Sequence, residues 1–105
     1  MKHVRLTTIF LLLISPLYTA AEISATRQNE LIYLLKQDCG SCHGLTLKGG
    51  LGPALLPDNL KGKFPALLTT TILTGRKDTA MPAWEGLLSH DDAAWLTKLL
   101  LKGVN

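Results

Sequence analysis

Cysteine is nearly absent from this 105-residue chain: there are two, and both fall in one hexapeptide, Cys39-Gly40-Ser41-Cys42-His43-Gly44. A zinc site built on that pair would need two more soft ligands. No other cysteine is present, and the remaining histidines are His3 and His90. The glycines at 49, 50 and 52 have no G-K-[ST] ending and no strand before them, which excludes a phosphate-binding loop. Neither a basic helix nor a basic patch interleaved with aromatics is present, so the pI near 9.0 is not a nucleic-acid signature. Long apolar runs are missing too. Leu6 to Ala21 covers 16 positions and contains Pro16, whereas a spanning helix wants about 20 apolar residues. No internal repeat or low-complexity tract occurs.

That N-terminal stretch reads as a secretory signal. Lys2, His3 and Arg5 make a basic start, Leu6 to Ile14 is mostly apolar, and Thr19-Ala20-Ala21 supplies small residues for cleavage. Residues 1–21 are therefore expected to be removed, leaving one domain over 22–105; a retained anchor is the alternative. Loss of Lys2 and Arg5 takes the formal charge from +3 to +1. A remaining domain of 84 residues buries a modest fraction of its surface and gains from a staple.

The pair C-x-x-C followed directly by histidine is the pattern of covalent c-type haem attachment. Three residues is nearly one helical turn, so both sulfurs lie on one side of the chain and can meet two vinyl groups of one porphyrin. His43 is then placed to reach the iron. A thiol–disulfide site is the competing reading, but it wants a βαβ setting that is not visible here. Thioethers replace the disulfide that an even cysteine count would suggest, and two propionates would bring the domain to about −1.

The rest of the chain punctuates itself. A helix is expected from about Arg27 to Asp38, with Ser24 or Thr26 as its cap and Leu31, Leu34 and Leu35 on its core face. Leu45 to Leu60 reads as a turn-rich loop, its glycines letting backbone approach a flat ligand and Pro53 offering only a carbonyl acceptor. Pro65 to Thr74 reads as a helix bracketed by Pro65 and Gly75, although Thr69-Thr70-Thr71-Ile72 suits a strand by propensity. Met81, the one methionine besides the initiator, sits in a loop as Met81-Pro82-Ala83-Trp84. Ser89-His90-Asp91-Asp92 is a capping box opening a last helix to about Leu101, with Trp95, Leu96, Leu99 and Leu100 on one stripe and Gly103 as stop.

C-x-x-C-H after one helix, G-P-x-L in the next loop, M-P-x-W later and a terminal amphipathic helix together resemble class I cytochrome c. The resemblance covers the chain after residue 21 and implies an all-α fold, three to four short helices around one covalent haem c. It implies thioethers at Cys39 and Cys42, proximal ligation by His43, a carbonyl from Pro53 to His43, and distal ligation by Met81. Within that family CGSCHG, LKGGLGPAL and ILTGRKDTAMPAW resemble the small NirC-type periplasmic cytochromes associated with cytochrome cd1 nitrite reductase. The implied role is a monomeric periplasmic single-electron carrier, not an enzyme, whose partner is that reductase. A part in maturing the reductase's haem d1 is the alternative. A small haem enzyme with an open iron site is disfavoured, because no distal His–Arg pair is offered. Docking would use the haem edge, either through Lys48, Lys61, Lys63, Arg76 and Lys77 or through apolar Leu51, Pro82 and Ala83.

Overall fold

The computed structural model describes residues 14–17 and 22–104. Apart from 14–17, the signal segment read over 1–21 lies outside the described residues. Among the described residues every regular element is helical. They are α1 (Ala25–Leu34), a π-helical turn (Leu35–Cys39), α2 (Gly40–His43), α3 (Pro57–Leu60), α4 (Pro65–Thr74) and α5 (His90–Lys102).

The first three run on as one rod. Ser24 caps it, its hydroxyl accepting the Arg27 N–H at 3.1 Å. The expected helix thus starts two residues earlier than Arg27 and carries on through the cysteine motif instead of stopping at Asp38. Continuation is achieved by widening: the Gly40 N–H bonds to the Leu35 carbonyl five residues back. One inserted residue rotates the facing of the next turn by up to about 100°. Leu31 and Leu35 are fully buried in the core, and Cys39, Cys42 and His43 follow them along the rod, partly exposed.

The loop expected over Leu45–Leu60 also contains a helix. Leu56 is extended, Pro57 stands at the first helical position and Asp58 in the first turn, the arrangement a helix start favours. Leu60 at its end is buried and joins Leu31, Leu35, Leu47, Leu88, Leu96 and Leu100 in one core. In α4 three of the four threonines turn their hydroxyls back onto carbonyls one turn earlier, which satisfies those hydroxyls inside the helix. Thr69, Thr71 and Thr74 donate to the carbonyls of Pro65, Leu67 and Thr70 at 3.0, 2.8 and 2.8 Å. Thr69 and Thr97 then join α4 to α5 through buried hydroxyls 3.0 Å apart.

The two ends of the domain are tied at the start of α5. Ser89 and Asp92 exchange hydrogen bonds as a capping box, at 3.1 and 3.0 Å. Arg27 of α1 grips the same carboxylate with two nitrogens, at 3.2 and 2.8 Å. That guanidinium, with the Ser89 bonds, holds Asp92 below the usual carboxylate range against the opposing effect of burial. A depressed carboxylate stabilises the fold fully above its unfolded value and loses that contribution as pH falls through the folded one. Asp92→Ala should therefore cost about 2 kcal/mol at neutral pH. In denaturant titrations the gap to the parent protein should shrink once pH drops well below about 4. A gap that stays constant down to pH 2 would show that the charge of Asp92 is not what matters.

Candidate functional site

Cys39 ends the π-helical turn, and Cys42 and His43 belong to α2. The following loop folds back on that helix. Gly49 and Gly52 donate their N–H groups to the carbonyls of His43 and Cys42, both at 2.8 Å. This return brings the Pro53 carbonyl oxygen to 2.6 Å from His43 Nδ1. A carbonyl only accepts, so Nδ1 carries the proton and Nε2 keeps its lone pair for a metal. Gly52 is pressed against the same ring: a Cβ there would stand 2.8 Å from Nδ1 and Cε1. Gly50 and Gly52 also let the loop close on the motif's own helix and imidazole, an approach the sequence did not suggest.

Met81 is placed by α4. That helix ends at Gly75, whose φ of 70° turns the chain, and where a Cβ would come within 2.7 Å of the Met81 carbonyl oxygen. Beyond Met81, the Trp84 and Glu85 N–H groups bond to Ile72 and Leu73 carbonyls at 3.2 and 3.1 Å. The Met81 loop is thus hung from the last turn of one helix. The sequence marked Gly75 as the stop after the helix, but not its close approach to Met81.

Cys39, Cys42, His43, Pro53 and Met81 all line one cleft of about 900 Å³. Its walls are apolar, with Leu35, Leu60, Leu68, Ile72, Leu96 and Leu100 reaching it from four of the helical segments. Lys63 and Arg76 border it, as do Leu51, which is 93% exposed, and Pro82. Lys48, Lys61, Lys77, Ala83 and His90 are not among its lining residues. His90 is exposed at the first position of α5.

Burial, with repulsion from Asp38 second, pushes the Cys39 thiol up to about 11. Thiols that exchange disulfides are shifted the other way, toward the thiolate. Among the described residues no group of three or more His, Cys, Asp or Glu side chains gathers as a metal-ion nest. A wide, mainly apolar cleft, two thiols and an imidazole held through Nδ1 by a carbonyl fit a haem: a flat apolar macrocycle with two attachable vinyl groups and an iron that takes nitrogen.

Comparison with known proteins agrees with this chemistry. Residues 27–100 match the family model described as cytochrome c oxidase, cbb3-type, subunit III. Cytochrome c55X of Pseudomonas aeruginosa is 60% identical over 79 residues, which span 75% of this chain and 66% of that protein. The solved c-type cytochrome NirC superposes with a TM-score of 0.76 at 58% identity, covering 77% of this chain and 95% of that one. A solved dihydro-heme d1 dehydrogenase, NirN, matches at 39% identity with a TM-score of 0.61, over 66% of this chain but 15% of its own. The chain belongs to the c-type cytochromes, among the small NirC-like members, with one covalently bound haem c as its cofactor.

Proposed function

We propose that this chain is a periplasmic single-electron carrier that delivers electrons to cytochrome cd1 nitrite reductase, and that it is not itself an enzyme. The observation that carries this is the shared cleft on which His43 and Met81 both lie. In this reading Cys39 and Cys42 would hold the haem through thioethers, and His43 and Met81 would ligate its iron. Haem, when bound, supplies a one-electron couple, and Met/His ligation raises its potential. Pro53 fixes the imidazole's tautomer and plane. With His43 of α2 and Met81 of its anchored loop both ligating the iron, small molecules would have no easy path to it. Export through a cleaved segment at 1–21 places the carrier in the periplasm; no helix among the described residues is long and apolar enough to cross a membrane.

A second reading is favoured by one particular match, that to the dihydro-heme d1 dehydrogenase. Removing hydrogen from a dihydro-haem releases two electrons, which a one-electron carrier can accept in two encounters. The direction of flow separates the readings. Reduced protein mixed with the reductase and nitrite should be reoxidised. In the second reading, oxidised protein mixed with the dehydrogenase and its substrate should become reduced. No electron exchange with either enzyme would end the proposal.

Docking should be apolar. Leu51 and Leu67 line the cleft and are 93% and 57% exposed, and Phe64, whose carbonyl accepts the Leu67 N–H, is 77% exposed. With a small net charge, steering by overall charge is weak. Reoxidation rates should therefore change less than about twofold between low and physiological salt, and Lys61→Glu should be neutral. Leu51→Asp should slow transfer about tenfold. A steep fall with salt, or a slow Lys61→Glu variant, would move the contact to the lysines.

A further inference from the structure

Between the end of α4 and Met81 the chain makes a tight turn whose geometry depends on one side chain. The Thr79 N–H closes a four-residue turn onto the Arg76 carbonyl at 3.2 Å. The Thr79 hydroxyl donates to that same carbonyl at 2.7 Å and accepts the Met81 N–H at 3.3 Å. The Met81 carbonyl is held in turn by the Arg76 N–H at 3.2 Å. Both polar groups of the Met81 backbone are therefore fixed to one six-residue ring. Within that ring Asp78 has a φ of 58°, a left-handed conformation that Asp adopts more readily than most non-glycine residues. The Thr79 hydroxyl is the side-chain group that bonds within this ring.

From this geometry we infer that Thr79 is the positioning residue for Met81: its hydroxyl sets where the methionine backbone stands at the cleft, and so how firmly the thioether is presented to the iron. The inference rests on the reading of Met81 as the distal ligand. Thr79 borders the cleft beside Met81, close enough to act on the ligand through the backbone alone. Held in this way, Met81 keeps the iron closed and the protein a carrier; loosened, it would open a site for small ligands.

The holoprotein is compared with Thr79→Val, which keeps shape but removes the hydroxyl, Thr79→Ala, which tests whether branching matters, and Thr79→Ser, which restores the hydroxyl. Readouts are the sulfur–iron charge-transfer band and the affinity for added imidazole. Val and Ala should weaken the band and raise imidazole affinity about tenfold, the size expected when hydrogen bonds worth one such factor are lost. Ser should behave like the parent. A general loss of stability would lower the melting temperature of Val and Ala together with the band, whereas a positioning role weakens the band while both melt as the parent does. Parent-like band and imidazole affinity in both Val and Ala would overturn the assignment. Met81→Ala is the control: if it keeps the band, the ligand reading falls first and the role of Thr79 falls with it.

Discussion

Stripped of haem, the chain should lose its fold. The cleft amounts to about 900 Å³, walled by residues of the π-helical turn, α3, α4 and α5. An enclosed void of that size would cost about 20 kcal/mol at roughly 24 cal/mol per Å³. This cleft opens at Leu51, so the true cost is smaller. Even a quarter of it is about 5 kcal/mol, which matches the whole stability of many small domains. Each helix would lose the surface it shares with its neighbours. The Cys39→Ala/Cys42→Ala double variant should therefore carry no haem on a denaturing gel stained for it. Its far-UV circular dichroism should show little helix and no cooperative melt. Either single variant should retain partial attachment through the remaining thioether. A double variant that melts cooperatively with native helix content would mean that the leucine core suffices alone.

How much of this was readable in the chain depends on whether the signal lay in side chains or in backbone register. α4 and α5 were legible because their ends carry residue types with one strong use: Pro65 and Gly75 for one, the Ser89–Asp92 box and Gly103 for the other. The π-helical turn at Leu35–Cys39 was not, since a hydrogen bond from residue 40 to residue 35 leaves no mark on composition. α3 was hidden for the opposite reason: Pro57, Asp58 and Asn59 serve turns and helix starts equally well, and the buried Leu60 decided between them. The Arg27–Asp92 pair, 65 positions apart, needed the fold before it could be seen. At the site, residue types pointed to Cys39, Cys42, His43, Pro53 and Met81. Their positioning falls to Gly52, Gly75 and Thr79, which act through close approach and hydrogen bonds; the sequence showed Gly52 as part of a glycine-rich loop, Gly75 as a helix stop, and gave no signal for Thr79.

Met81→Ala should abolish the sulfur–iron charge-transfer band and lower the reduction potential on the order of 100 mV or more, because the axial ligand is the strongest control the protein has over it. His90→Ala should change neither. Besides His43, His90 is the one histidine among the described residues, so it is the natural rival for the distal position. Its location decides against it. His90 is exposed at the first position of α5, beside the capping box, while Met81 lines the cleft that His43 lines. To reach the iron, His90 would have to unwind the start of α5. That would break the Ser89–Asp92 exchange and the grip of Arg27 on Asp92, which together tie the two ends of the domain. Met81 faces no such cost, since its loop is already anchored to α4 on both sides. With the thioether gone, added cyanide or carbon monoxide should bind rapidly and fully to the Met81→Ala protein, and slowly or weakly to the parent. Rapid, complete binding to the parent itself would place this chain with open-site haem enzymes and overturn the carrier reading. Loss of the band in His90→Ala, with Met81→Ala unchanged, would reverse the ligand assignment.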